Sequence, residues 1–202
     1  MSVNLQKASL RKYQANAAKI VPADYHPNFA DLVPVATPPT ALQSPNKWFE
    51  FLSPDNDFKL SAPGQLVNAE PTRDVVPNVI FKLKESENPY GVYFHVKRLD
   101  FPHGTLAGLP STILDSALNA ARDKDVSAIQ GQLVGDSPVS LESYPGREIR
   151  FSAEAGSILA TERMYIVGDH LYLILAIRKP SEEADSAVTR FLNSFRLITQ
   201  PR

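Results

Sequence analysis

Apolar positions along this chain recur at two periods, and the switches between them mark out the elements. Phe58 and Leu60 alternate with Asp57 and Lys59, after the turn-forming "SPDN" and before the stop "APG", which predicts a strand. The runs "NVIFKLK" (78–84) and "YGVYFHVKRLDF" (90–101) predict two more strands, joined as a hairpin through "ESENP". Between Leu109 and Val126 the period becomes helical: Ile113, Leu114, Ala117, Leu118 and Ala121 fall on one face, and Ser111 or Thr112, just after Pro110, is placed to cap it.

Four strand-like runs follow, "SAIQGQLV", "PVSLES", "REIRFSAE" and "ILATERMYIVG". In "YPGREIRF" (144–151) the Pro145-Gly146 pair suits a type II turn. Ile149 and Phe151 then point one way, and the charges of Arg147, Glu148 and Arg150 around them belong to the surface. "GDH" predicts a tight hairpin before "LYLILAIR", the most continuously apolar run and the expected central strand. The end is helical again: Pro180 and Ser181 open it, Glu182 and Glu183 complement the positive helix terminus, and Ala184, Ala187, Val188, Phe191 and Leu192 supply a buried face. "SFRLI" returns as a short last strand.

Strands, helix, strands, helix, strand is the order of an α+β fold, with a central, mainly antiparallel sheet and two main helices. Ahead of this globular part (residues 48–202), residues 1–47 read as an extended N-terminal arm. Lys7, Arg11, Lys12 and Lys19 precede the first acid, Asp24, and Leu10, Tyr13, Ala17 and Ile20 fall at helical spacing. Beyond Val21, Pro22, Pro27, Pro34, Pro38, Pro39 and Pro45 interrupt any helix, while Tyr25, Phe29, Leu32 and Val33 offer anchors that a plain spacer does not need. Lys7, Arg11, Lys12, Tyr13, Lys19, Tyr25 and Phe29 are therefore the candidate partner-binding residues.

Composition narrows the chemistry. A length of 202 residues with 43% apolar and 21% charged residues fits one domain plus an extension. A formal net charge of −1 argues against a general nucleic-acid binder. The absence of cysteine removes disulfides, thiolate nucleophiles and cysteine metal sites. The sequence lacks an apolar run of roughly 18 residues and an N-terminal signal region, so as written it is expected to be cytoplasmic, with periplasm or thylakoid lumen the alternative if a signal was removed. Peripheral membrane association is left open.

Motifs for nucleotide binding, serine hydrolysis, zinc proteolysis and EF-hand calcium binding do not occur. The four histidines, His26, His95, His103 and His170, stand in the arm, a strand and two turns. His103 in "FPHG" with Asp169 and His170 in "GDH" is the one speculative metal set, for zinc, manganese or calcium; otherwise no cofactor is expected. Glu142, Glu148, Glu154 and Glu162 lie on neighbouring predicted strands interleaved with Arg147, Arg150 and Arg163, a pattern expected of solvated cross-strand pairs rather than of a catalytic acid and base.

The succession "FEFLSPDNDFKLSAPG" (49–64), "YPGRE" (144–148), "ERMYIVGDHLYLILAI" (162–177) and "RFLNSFRL" (190–197) resembles the PsbP-like and DcrB-like group of bacterial and photosynthetic proteins, over about residues 48–198. The resemblance implies an α/β/α sandwich. It also implies a non-catalytic accessory, assembly or chaperone-like role on a larger protein complex, photosystem components among them, with metal ions in some members and export as a common feature. The expected protein is thus an accessory subunit held by its arm. The alternative is a metal- or small-ligand-binding protein, or an enzyme, using a cleft at one end of the sheet.

Overall fold

The computed structural model describes residues 47–71 and 76–198. Strands β1 (Phe49–Leu52), β2 (Phe58–Ala62), β3 (Leu66–Ala69), β4 (Asn78–Leu83) and β5 (Tyr93–Asp100) precede helix α1 (Ser111–Ala128). Then come β6 (Gln132–Leu141), β7 (Tyr144–Ala153), β8 (Ile158–Val167) and β9 (His170–Arg178), helix α2 (Glu182–Ser194) and the two-residue β10 (Arg196–Leu197).

Seven strands form one sheet in the order β3-β4-β5-β9-β8-β7-β6, and β1-β2-β10 form a second; every pairing is antiparallel. The α+β class and the sheet flanked by helices are as the patterns predict. β9 takes the middle of the large sheet, and all seven residues from Leu171 to Ile177 are buried, because both faces of this strand are covered.

Two cores follow from the strand alternation. On one face, Leu99, Leu173, Leu175, Met164, Ile149 and Phe151 pack under Ala117, Leu118 and Ala121 of α1. On the other, Phe94, Val96, Ile174 and Tyr172 pack under α2 and the small sheet, with the rings of Phe94 and Phe191 4.6 Å apart. Ser181 caps α2 by accepting from the Ala184 amide at 3.2 Å, as its position predicts.

Three local readings are corrected. The residues "SAIQ" are not a strand: Ser127 and Ala128 finish α1, which closes by Gln130 N–H to Ser127 O (3.0 Å) and Gly131 N–H to Val126 O (2.9 Å). This is a Schellman closure with Gln130, not a glycine, at positive φ (50°), so the usual stop signal sits one residue late. The remainder joins "PVSLES" as a single bulged strand, β6. At the start of α1, Pro110 takes the cap position, and neither Ser111 nor Thr112 caps the helix; the Pro110 carbonyl receives the Ile113 and Leu114 amides.

Pro145-Gly146 is not the turn. Leu141 pairs with Tyr144, so the two-residue loop is Glu142-Ser143, with Glu142 carrying the positive φ (55°). Pro145 pairs only with Ser140 of β6, at a strand start where a missing donor is tolerated, and Gly146 lies inside β7 opposite Tyr165.

Candidate functional site

Three polar constructions stand out, each placed by strand ends or by register. The first ties the two sheets together. The β1–β2 turn presents Asp57, whose carboxylate accepts from the Ser53 hydroxyl, an Arg98 guanidinium nitrogen and the Tyr172 hydroxyl (2.9 Å). Arg98 on β5 also holds Asp100 (2.7 Å) and Asp55 (3.1 Å), and His170 Nδ1 lies 2.8 Å from Asp100. Burial opposes ionisation of Asp57, yet the three donors outweigh it and hold the carboxyl below its ordinary range. Burial, then the adjacent Asp57 carboxylate, pushes the Tyr172 hydroxyl up.

Beside this knot a cleft of about 280 Å³ opens between Asp55, Asn56, Asp57, Glu142, Tyr144 and Tyr172. The donors already on Asp57 make it a structural tie before anything else. Asp57→Ala is expected to lower stability by about 2–3 kcal/mol, because Arg98 and Tyr172 lose their shared acceptor. Urea titration checks this.

The second construction is the Asp169 loop. Asp169 lies in the β8–β9 hairpin after Gly168 (φ 60°), and its carboxylate accepts the amides of Gly104 (2.7 Å), Leu106 (2.8 Å) and Ala107 (2.9 Å). Those amides, Ala107 first, then Leu106 and Gly104, hold its pKa down to about 2. His103 Nδ1 is 3.4 Å from Asp169 on a fully exposed side chain. So two members of the speculative metal set, His103 and Asp169, are adjacent, while His170 is turned to Asp100. Among the described residues no group of three or more histidine and carboxylate side chains is arranged to hold a metal ion.

The third construction was hidden in the sequence. Beneath α1 lie Asp125 (1% exposed), Glu162 (2%), Lys97 (3%) and His95 (8%), one from α1, one from β8 and two from β5. Their placement follows from register: His95 and Glu162 both pair with Leu175, so all three share a face, and Lys97 follows two residues along β5. Of the four glutamates read as surface charges, Glu148 fits that reading, bonded to Arg163 at 2.7 Å. Glu162 does not, because it occupies an inward position between Ala160 and Met164.

Burial, then the neighbouring Asp125 carboxyl to which it hydrogen-bonds, raises the Glu162 pKa well above the ordinary range; Lys97 acts the other way. Glu162 is therefore held toward its neutral, protonated form, with the Lys97 cation opposing. His95 is pushed down to about 3, by burial first and Lys97 second, from an ordinary value of 6.5. Its stabilising contribution is thus present above about pH 6.5 and is lost as the pH falls toward 3, at about 1.4 kcal/mol per pH unit. Glu162 has the opposite sign: its contribution is complete at low pH and is lost as the pH rises through its raised pKa.

The candidate docking residues Lys7, Arg11, Lys12, Tyr13, Lys19, Tyr25 and Phe29 lie outside the described residues. What is described is the root from which the arm leaves. Trp48 is held between Tyr90 (ring centroids 6.2 Å apart) and the Arg190 guanidinium (4.4 Å), and Lys47 lies over the Phe49 ring (4.8 Å). Next to it Phe49 (37%) and Leu52 (51%) are exposed on β1, the outer strand of the small sheet. Among the described residues no helix is long and apolar enough to cross a membrane.

No family model matches the chain, and no curated protein matches it. Among solved structures, a cyanobacterial PsbP (CyanoP) from Synechocystis sp. PCC 6803 is similar at 10% identity and a TM-score of 0.48, covering 79% of this chain and 98% of that one. The protein PA94 from Pseudomonas aeruginosa is similar at 14% identity and 0.39, covering 77% and 99%. LpqN, involved in cell envelope biogenesis of Mycobacterium tuberculosis, is similar at 11% and 0.37, covering 87% and 100%. These are likenesses of arrangement alone.

Proposed function

We propose that the protein is a non-catalytic accessory subunit that binds a larger protein complex, with residues 1–47 as the docking element and the folded part as a rigid platform. The observation that carries this reading is the arm's root. Trp48 is clamped by Tyr90 and Arg190, and Phe49 and Leu52, on opposite faces of the edge strand β1, leave exposed apolar side chains close to the point where the arm joins the domain. An arm with cationic and aromatic residues, fixed at its base beside exposed apolar side chains, has the chemistry of a docking strap whose anchors act as one unit.

The test compares affinity capture by the full chain with capture by a chain starting at Lys47, bound proteins being identified by mass spectrometry and folding checked by thermal melting. The reading predicts an assembly retained by the full chain alone. Retention by both would move docking to the folded face. Loss of folding on removal of the arm would make it part of the core and overturn the reading. Phe49→Ser with Leu52→Ser is expected to weaken capture by about tenfold while changing stability by less than about 0.5 kcal/mol, since both side chains face water.

A second reading rests on the cleft beside Asp57: small-ligand or metal binding at this end of the sheet. The metal form lies apart from that cleft, at His103, Asp169 and His170, and calorimetric titration with zinc, manganese and calcium tests it. Micromolar binding lost in His103→Ala would support it, and no heat at any of the three would end it.

A further inference from the structure

An uncovered strand edge is a row of backbone donors and acceptors that invites another strand, and most chains block it. The strands that end a sheet are β3 and β6 in the large one and β1 and β10 in the small one. The exposed large apolar side chains among the described residues lie on two of these edges, Leu133 and Val134 on β6 and Phe49 and Leu52 on β1. The β6 edge is blocked. Leu141 opposite Tyr144 closes the β6–β7 loop, so strand alternation turns Pro138 outward, where it has no N–H to offer, and a bulge breaks the register between Leu133 and Gly135.

β1 has neither device. Its pairing with β2 runs unbroken from Phe49 opposite Ala62 to Leu52 opposite Lys59, and the Ser53 amide extends it by donating to the Phe58 carbonyl (3.0 Å). Phe49, Phe51 and Ser53 therefore direct their backbone groups at β2, and Glu50 and Leu52 turn theirs outward. The far side of β2 keeps the same alternation: the Asp57 carbonyl accepts from the Ile198 amide (2.9 Å) and the Ser61 amide donates to Ser194 Oγ (2.9 Å), both away from β1. We propose that this edge pairs with the β1 edge of a second copy of the chain, antiparallel about a two-fold axis at Phe51.

The register follows from which residues face outward, because only outward residues set against each other exchange backbone bonds. With the axis at Glu50, two carboxylates oppose one another. With it at Leu52, Glu50 meets Pro54, which has no donor. With it at Phe51, Glu50 of each copy meets Leu52 of the other, and each such pair exchanges both of its N–H···O bonds. The side chains fit that choice. Glu50, bridged to Lys59 of its own copy (3.2 Å), faces no like charge, and the two Leu52 side chains, each 51% exposed before pairing, become diagonal neighbours on the outer face. On the inner face the two Phe51 rings, each already packed on Phe58 and Phe81, come opposite one another. The seam is isologous, the same patch serving both copies.

The seam is short, so the dimer is expected to be half-formed at roughly tens of micromolar. Sedimentation equilibrium of the full chain from about 5 to about 500 µM tests it. Glu50→Pro removes an outward donor and leaves the bonds to β2 intact, so it is expected to weaken dimerisation by about tenfold or more without lowering the melting temperature in dilute solution. Leu52→Lys brings two cations together across the axis and is expected to act alike, and it carries the test should the proline variant melt early. A chain that stays monomeric at the highest concentration, or a dimer equally tight in the folded variants, would overturn the pairing. On the docking reading, two arms leave the ends of one seam, so both variants should also weaken capture through lost avidity. The two ideas fail separately: a monomer that still captures an assembly overturns the pairing alone, and a dimer that captures nothing overturns the docking alone.

Discussion

Lys97→Met is expected to lower stability by about 3–5 kcal/mol at neutral pH, the largest effect of any single substitution considered for this chain. Methionine retains most of the length and apolar stem of lysine, so the loss would report charge rather than a cavity. Lys97 is 3% exposed and lies by Glu162, which is hydrogen-bonded to Asp125; without the cation, negative charge on these buried carboxyls loses the Lys97 counter-charge. Loss of the cation removes what opposes protonation of Glu162, so the variant would regain stability in acid. Adding Asp125→Asn and Glu162→Gln to Lys97→Met should return most of the loss, since neutral groups of matching shape carry no uncompensated charge. Urea titration of the single and triple variants across pH measures all of this, and a loss below about 1 kcal/mol for the single variant would show that Lys97 does not balance the pair.

Gly146→Ala is the second large effect, at about 2–3 kcal/mol. A Cβ at this position would lie 2.4 Å from Cδ1 of Tyr165 and 2.5 Å from the carbonyl oxygen of Met164. The Tyr165 ring cannot swing away freely, because it is buried and stacks on Phe195 at 6.1 Å, and the carbonyl is part of β8. The strain therefore passes into the β7–β8 pairing. The effect separates two roles for the same glycine. A turn glycine at positive φ would be relieved by asparagine, whereas a glycine chosen for close approach is made worse by it. Gly146→Asn is expected to be at least as damaging as Gly146→Ala by chemical denaturation, and milder behaviour would restore the turn reading.

That glycine also shows where the sequence was legible and where it was not. Alternation located β2, β4, β5, β8 and β9, and the continuous run 171–177 correctly marked the middle of the sheet, because burial on both faces leaves no polar positions. Helical spacing gave the buried face of α2 residue by residue and its Ser181 cap. Turn chemistry failed at Pro145-Gly146, since a dipeptide that favours a turn is equally at home where a strand begins and a ring crosses over it. Helix-end chemistry failed at Gln130, which adopts the conformation usually left to glycine.

The buried cluster was missed for a different reason, although its signal was present. In "ILATERMYIV" the inward positions are Ile158, Ala160, Glu162, Met164 and Ile166, and in α1 the face Leu114, Leu118, Ala121 continues to Asp125. A charge at a core position of two separate elements, with Lys97 at a third, points to one shared interior site once the elements are known to stack. Read strand by strand, Glu162 looked like one more partner for the arginines around it. The tie at Asp57 was out of reach altogether, because it depends on the β1–β2 turn meeting the ends of β5 and β9 across two sheets.

The most direct test of the docking role places a photo-crosslinking amino acid in the full chain, at Phe29 or Tyr13 in the arm and, separately, at the exposed Val134 of β6. The account predicts that irradiation in cells joins the arm positions to one recurring protein other than this chain, and Val134 to none. Crosslinks from Val134 with none from Phe29 or Tyr13, or arm crosslinks confined to this chain's own domain, would contradict it.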